Sequence, residues 1–368
     1  PIIYINDFFL EDVLGGGEIN DHELVEILIS EGYQVSKVRS NTVTIDFLRE
    51  NKESFYIVSN FINLNPSCRN YLSDLNYVIY EHDHKYVKTR NPAVYKDFKA
   101  GASDIINYYF YKNARAVLCQ SKFHKGIVEK NLNLQNIINL GGNLWPIEIL
   151  EHIRTICKSK KTNTCAILKS SVPHKNTRGA IDYCNSNGLS YNLVSNPEYK
   201  SFLNSLATNE KFVFLPQTPE TLSRVIVEAR MLGCAVVTNS LVGATSEDWF
   251  NMKGEELINF LLKKRHEIKQ TIVDIIETDF TPVHRPKVSI ISTFHKGEDF
   301  LDQFLHDLTQ QTIFSDCELI LVDSASPGLE RKIAEKYVKK FKNIKYKRYD
   351  RLFGPTEGHN IAMRKASG

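Results

Sequence analysis

The chain has 368 residues, 42% of them hydrophobic and 24% charged, the balance of a globular protein of two or three domains. A net charge of +3 and the lack of a long basic run argue against nucleic acid as a partner; the locally basic stretch 339–351 reads as a solvated helix end and edge strand, with phosphate attraction as the other option. Seven scattered cysteines without a C-x-x-C point to reduced thiols in a cytoplasmic protein, and no apolar run approaches the ~18 residues of a membrane span, so any membrane contact is expected to be peripheral.

The chain opens at Pro1 inside a strand-like PIIYI and closes at Gly368 just after a helical pattern, so both ends read as cut. Residues 2–5 form a short buried strand. Gly15-Gly16-Gly17 follow, then an amphipathic helix over about 18–30, with Leu24, Val25, Ile27 and Leu28 at helical spacing. Strand, glycine turn and helix let backbone N–H groups meet a phosphate; an ordinary flexible loop is the alternative, since the run is not G-x-G-x-x-G. Residues 55–59, 77–80 and 116–119 are further short apolar strands, the last leading through Ser121 into a helix over 122–129. Such alternation implies a parallel sheet covered on both faces, with ligands bound at the carboxyl ends of its strands. Strand 77–80 empties there into Glu81-His82-Asp83-His84. His82 and His84 lack further ligands at a metal-site spacing. That leaves His82 as a hydrogen-bond donor to a sugar or phosphate, or as a histidine bonded to Asp83 or a backbone carbonyl.

Gly141-Gly142-Asn143 and Trp145-Pro146 mark a domain boundary. A connecting helix over 147–157 leads to strands at 164–168, 191–194, 212–215 and 235–238, with a helix over 177–186. Lys175 lies between strand and helix, where it would meet a diphosphate through charge-assisted hydrogen bonds or remain a solvated lysine. Residues 216–233 read PQTPETLSRVIVEARMLG, with Glu220 in a turn and Glu228 in an apolar helical run. Eight helical residues span about 12 Å. That exceeds the roughly 5–9.5 Å of a glycosidase carboxylate pair and suits two contacts along one long polar ligand. Residues 247–277 are helical and charged, with Leu257, Ile258, Leu261 and Leu262 on one face. Residues 281–286 form a linker with two prolines. A new α/β unit starts near Lys287, with strands at 288–292, 319–323 and 345–348 and helices at 299–309 and 330–341. The domains are therefore expected at 1–145, 146–280 and 281–368.

Glu220-TLSRVIV-Glu228, followed by Ala229 and by Gly233-Cys-Ala-Val-Val after an FVFLP strand, resembles the E-x7-E element of the retaining GT-B glycosyltransferases of family four. The resemblance covers about residues 1–280. It implies an α/β fold of two Rossmann-like domains in GT-B arrangement, and transfer, with retention, of a sugar from a nucleoside diphosphate sugar to a hydroxyl acceptor. The implied acceptor is a glycan or lipid-linked glycan in surface polysaccharide synthesis, and no metal or other cofactor is implied. The resemblance implies Glu220 and His82 as catalytic residues and Gly16, Gly17, Lys175, Ser223, Arg224 and Glu228 as donor-binding residues. Lys175 would hold the diphosphate and Glu228 the ribose hydroxyls. The helix starting near Ser223 would aim its N-terminus at the phosphates, and Ser121 would close the N-terminal domain. The family's G-R-x-x-x-x-K is here Lys169-SSVPH-Lys175, without the arginine, so Lys169, Arg178 or Arg224 would supply the charge. The glycines of E-G-F-G are replaced in Glu220-Thr221-Leu222-Ser223. A non-catalytic nucleotide-sugar-binding or scaffold module and a GT-B epimerase stay open as alternatives.

VSIISTFHKGEDFLDQFLHDLTQQT followed by ELILVDSASPG resembles the opening of a family-two GT-A glycosyltransferase. That implies a partial GT-A unit, about half a nucleotide-binding fold, with Asp323 at the nucleotide base and Gly354 and Asn360-Ile361-Ala362 as later elements. Its divalent metal, D-x-D motif and catalytic base would belong to a part beyond Gly368.

Overall fold

Short runs of β-branched and aromatic residues build the sheets of this protein, seen here in a computed structural model that describes residues 1–195, 197–279 and 288–366. The proline linker at 281–286 and the start at Lys287 lie outside the described residues. The chain folds as two compact units, Pro1–Thr281 and Pro282–Gly368.

The first unit begins with six parallel strands: β1 (Ile2–Asn6), β2 (Val35–Arg39), β3 (Phe55–Val58), β4 (Tyr77–Tyr80), β5 (Val117–Cys119) and β6 (Ile137–Asn139). Their order is β2-β1-β3-β4-β5-β6. Side chains alternate across a strand, and the inner strands are apolar on both faces. Ile3, Ile5, Tyr56, Val58, Tyr77 and Ile79 enter one core, while Ile2, Tyr4, Phe55, Ile57, Val78 and Tyr80 enter the other. Both faces are covered by α1 (Gly16–Ser30), α2 (Ile45–Glu50), α3 (Pro66–Leu72), α4 (Tyr108–Asn113) and α5 (Lys122–Leu132). Ser121 caps α5 by accepting from His124 N at 3.1 Å.

After α6 (Ile147–Ile156) comes a second parallel sheet of β7 (Thr162–Leu168), β8 (Tyr191–Val194), β9 (Asn209–Val213) and β10 (Ala235–Val237), ordered β10-β9-β7-β8. With it pack α7 (Thr177–Ser186), α8 (Tyr199–Ala207), α9 (Arg224–Met231) and α10 (Gly254–Glu277). The strand expected at 212–215 sits earlier, at Asn209–Val213. Phe214 lies past its end, where its N–H still reaches Val237 O at 3.0 Å.

Helix α10 has 24 residues, about 36 Å at 1.5 Å each, and belongs to both halves. Leu257, Ile258 and Leu261 join the core of the second sheet, while Ile268, Ile272 and Val273 pack with Leu24, Leu28 and Tyr4 of the first. Polar contacts follow the same seam: Arg265 pairs with Glu23, Lys269 with Glu31 at 2.9 Å, and Tyr33 donates to Glu277 at 2.7 Å. Among the described residues no helix is long and apolar enough to cross a membrane.

The second unit is a three-stranded parallel sheet, β11 (Val288–Phe294), β12 (Cys317–Ser324) and β13 (Ile344–Tyr349), with β12 in the centre and buried throughout. Helices α11 (Glu298–Thr309) and α12 (Glu330–Lys340) pack on one face through Leu301, Leu305 and Ala334, and α13 (Pro355–Met363) on the other through Ala362.

Because Ile272 fills the N-terminal core from the last helix of the first unit, Ile272→Ala should destabilise that unit by about 2–5 kcal/mol. Denaturant unfolding of the variant checks this; a loss below ~1 kcal/mol would show that the seam is not a packed core.

Candidate functional site

The residues that follow the carboxyl ends of β1, β4, β5, β6, β7 and β9 line one cavity of about 410 Å³. Gly16, Gly17, His82, Lys175, Glu220, Ser223, Arg224 and Glu228 all belong to its wall. A second cavity, of about 810 Å³, shares His82, Lys175, Glu220 and Thr221 with the first. Those four residues therefore form a partition.

The glycines do not form a separate loop. Gly15 is the N-cap of α1, and Gly16 and Gly17 are its first turn, so their N–H groups are among the donors a helix start leaves open. A Cβ on Gly16 would lie 3.1 Å from Arg224 Cδ, and one on Gly17 would lie 3.6 Å from the His82 ring. At Gly16 the approach is tight, whereas at Gly17 a Cβ would make only ordinary contact.

Glu220 is pinned on both sides. Its N–H donates to Leu241 O at 2.7 Å and its carbonyl accepts from Gly243 N at 2.8 Å. Its carboxylate takes both bonds from Lys175 Nζ, at 2.8 and 3.0 Å. The lysine placed by the sequence at a diphosphate is thus paired with the first glutamate. Glu228 is buried, and its Oε1 accepts from Trp145 Nε1 at 3.0 Å and Tyr199 OH at 2.5 Å, with Arg224 Nε at 3.7 Å. Its Oε2 has no hydrogen-bond partner among the described residues. Arg224 lines the cavity as a committed cation: Nη1 donates to Leu144 O at 2.6 Å and the guanidinium stacks 4.4 Å from the Trp145 ring. The other proposed stand-ins are elsewhere. Neither Lys169 nor Arg178 lines either cavity, and Arg178 pairs with Asp182 with 89% of its side chain exposed.

Ser223 is the N-cap of α9 with φ +73°, and its buried Oγ has neither a capping bond nor any other partner among the described residues. Glycine adopts a positive φ without the steric cost of a Cβ, so serine at this position carries backbone strain.

His82 is fixed by protein groups on both nitrogens. Gln120 Nε2 donates to Nδ1 at 2.6 Å, and Nε2 donates to Asp21 Oδ1 at 2.6 Å. Neither Asp83 nor a backbone carbonyl is the ring's partner, and donation to a ligand would require giving up one of these bonds. Burial works against the imidazolium, but the charge and hydrogen bond of Asp21 outweigh it and raise the His82 pKa. Asp21 Oδ2 in turn accepts from Asn6 Nδ2 at 2.8 Å and Ser59 Oγ at 2.5 Å. The sequence reading did not single out Asp21 or Gln120, and it named Thr221 only as a replacement within the E-G-F-G run. The signal available was Asn20-Asp21 inside the otherwise apolar face of α1.

The two halves meet at this network. Thr221 Oγ1 donates to Gln120 Oε1 at 3.1 Å and Ser121 Oγ donates to Thr221 O at 2.5 Å. The first N–H groups of α5 are closed from the second half: Lys122 N donates to Glu247 Oε1 at 2.6 Å and Phe123 N to Ser246 Oγ at 3.0 Å.

Behind His82 the loop is held by charge. Lys85, fully buried, donates to Glu81 Oε1 at 2.6 Å and to Asp83 Oδ1 at 2.8 Å, and Arg90 also pairs with Asp83. Burial alone would raise the Asp83 carboxyl; Lys85 and Arg90 hold it well below the usual range. The His84 and His124 rings stand 5.2 Å apart edge to face, each with a buried, unpartnered Nε2. Burial pulls the His84 imidazole down to about 4 and also holds His124 well below the usual imidazole range. Among the described residues no group of three or more His, Cys, Asp or Glu is placed to hold a metal ion, and all seven cysteines are free thiols.

In the second unit Asp323 lies buried at the end of β12. Its Oδ1 accepts from Ser326 N at 2.8 Å; its Oδ2 accepts from Tyr346 OH at 2.7 Å and from Arg348 Nη1 at 3.3 Å. Gly354 is the N-cap of α13, which contains Asn360-Ile361-Ala362.

Residues 289–368 match the family model for Glycosyl transferase family 2. A stretch of 63 residues is 41% identical to the cholesterol galactosyltransferase of Borreliella burgdorferi; the match spans 17% of this chain and 17% of that relative. Among solved structures, Anabaena HepE in complex with UDP and glucose is 13% identical over 75% of this chain and 91% of its own, with a TM-score of 0.43. The catalytic domain of starch synthase IV from Arabidopsis thaliana, bound to ADP and acarbose, is 10% identical over 76% of this chain and 95% of its own, with a TM-score of 0.44.

Two expectations follow from the site. The positive φ of Ser223 costs an L-residue ~1–2 kcal/mol, while glycine loses part of that advantage through unfolded-state entropy. Ser223→Gly should therefore stabilise the first unit by about 0.5–1 kcal/mol, read as a higher Tm; a lower Tm would contradict the strain. The second concerns acid. Histidine titrates near 6.5 in an unfolded chain, and folded His84 near about 4. Between those values the unfolded chain binds the extra proton, so stability falls as pH drops. His82 acts in the opposite sense: its raised pKa gives stability complete below ~6.5 and lost as pH rises through the folded value. His84 should cost about 2 kcal/mol between pH 7 and pH 5. Denaturant unfolding at the two pH values should show a shallower loss for His84→Gln; an unchanged loss would exclude His84 as the source.

Proposed function

We propose that the first unit is a glycosyltransferase that moves a sugar from a nucleoside diphosphate sugar to a hydroxyl acceptor with retention of configuration. The observation that carries this reading is the convergence on one cavity of a helix N-terminus, a glycine-rich helix start, Lys175 and two carboxylates eight residues apart in the chain. Leu168, Tyr199, Phe202 and Val225 give that cavity apolar walls for a nucleoside, with the unpartnered Oε2 of Glu228 as acceptor for a ribose hydroxyl. The start of α9, with its open N–H groups and the free Ser223 Oγ, suits the diphosphate. Lys175 and Glu220, in the partition, suit the transferred sugar and its leaving oxygen.

In this reading the C1–O bond of the donor breaks and its electron pair leaves on the diphosphate. The acceptor oxygen bonds to C1, and the acceptor proton passes to the departing phosphate. Preorganised donors aimed at the developing negative charge are worth several kcal/mol, and here these are Lys175 and the α9 N-terminus. His82 acts through position, held by Asp21 and Gln120 beside Gly17. The acceptor class that goes with this reading is a glycan or lipid-linked glycan of surface polysaccharide synthesis, made in the cytoplasm. The name of the Borreliella relative adds a sterol to the acceptors worth testing. The match of residues 289–368 to Glycosyl transferase family 2 supports a second transferase unit in the same polypeptide. There Asp323 would meet the nucleotide base by exchanging one of its present partners, and a divalent metal would be needed for a complete domain.

Donor loss measured across UDP-, GDP- and ADP-sugars tests the proposal. Glu220→Gln should lower turnover about 100-fold or more, and Glu228→Gln should raise the donor KM about tenfold with a smaller change in kcat. Tight donor binding without turnover would instead identify a nucleotide-sugar-binding module, and an epimerised donor would identify an epimerase.

A further inference from the structure

The second cavity differs in chemistry from the first. Its volume of about 810 Å³ is within the range of roughly 300–1,000 Å³ for small-molecule sites, which are mostly lined by apolar and aromatic side chains. This one has no Leu, Ile, Val, Met, Phe, Tyr or Trp in its lining, and its only aliphatic members are Pro173 and Pro219. Its charged side chains are all paired, Arg90 with Asp83, Lys175 with Glu220, and His82 with Asp21. His174 adds no charge near neutral pH, because burial and the neighbouring Lys175 lower its pKa. What remains are neutral hydrogen-bonding groups. Among the described residues the side chains of His174, Gln217 and Thr218 have no hydrogen-bond partner.

The walls that carry these groups are braced. Gln217 N donates to His174 O at 2.8 Å, joining the loops after β7 and β9. On the opposite side, the buried Lys85 ties the loop after β4 to its own strand end through Glu81 and Asp83.

We propose that this cavity seats the acceptor, and that the acceptor is the neutral, hydroxyl-rich end of a glycan. The proposal rests on reading the first cavity as the donor site. A sugar presents donors and acceptors at short intervals, and an amide, a hydroxyl and a neutral imidazole answer both. A sterol or alkyl chain would cover these polar groups without pairing them, which is costly once water is excluded. A phosphorylated or uronic sugar would find a counter-charge only by breaking one of these existing ion pairs. The partition then selects the reacting hydroxyl, the one that reaches past Lys175 and Glu220 to the donor side.

The test uses the full chain and a panel of UDP-, GDP- and ADP-sugars. Donor loss is followed first alone, then with neutral oligosaccharides, with phosphorylated and uronic sugars, and with cholesterol in detergent. Neutral oligosaccharides should accelerate donor loss, and Gln217→Ala and Thr218→Val should each raise the acceptor KM about fivefold, with the donor KM as the internal comparison. Acceleration by cholesterol or by anionic sugars alone overturns the proposal and leaves the donor reading standing. Acceptor KM values unchanged in both variants overturn the placement. Absence of donor loss and of donor binding overturns the donor reading, and this inference with it.

Discussion

The N-terminus of α5 has backbone N–H groups that its own half of the first unit leaves open. Ser121 serves one of them, while Glu247 and Ser246, from the other half, serve Lys122 and Phe123. Each buried donor left without a partner would cost roughly 1–3 kcal/mol, so the helix is complete only when the halves are together. This places the 220–223 turn. Ser121 reaches Thr221 O, Thr221 reaches Gln120, and Gln120 fixes the tautomer of His82. The geometry of both cavities depends on this capping across the cleft.

Within the cleft, charge is spent internally. Lys175 neutralises Glu220, and Arg224 is held against Trp145, Leu144 O and Glu228. What stays open in this wall is the N-terminal turn of α9 and, beside it, a serine hydroxyl on a strained backbone. An anion at that turn would meet aligned dipoles, in a wall that also holds the paired Lys175 and Glu220. The Glu220 carboxylate lies in the wall shared with the polar cavity.

Much of this architecture was legible in the sequence because it is local. Four- and five-residue apolar runs at strand period gave β1, β3, β4 and β5, and the position of Glu220 and Glu228 after such a strand was enough to bring them to one cavity. Strand β2 escaped notice because VSKVR is an edge strand with three of its five residues exposed, so it lacks a continuous apolar run. Three consecutive glycines read as a loop, whereas Gly16 and Gly17 already form the first turn of α1 behind the N-cap Gly15. The partners of His82 and Glu228 were not legible. Asp21 lies 61 positions from His82, and Trp145 lies 83 from Glu228, so those bonds exist only once the sheets are assembled. The same holds for the missing arginine: spacing nominated Lys169 and Arg178, but the direction of α7 sends Arg178 into solvent.

Helix α10 has a mechanical consequence. The halves of the first unit are joined once by the chain around Leu144 and Trp145 and again by an unbroken helix whose two ends are embedded in different cores. A body attached at one point can swivel; one attached by a strut as well cannot turn freely without bending the strut or sliding its apolar face. Any opening of the cleft in this protein is therefore restricted to the few directions that a straight helix, gripped at both ends, will tolerate.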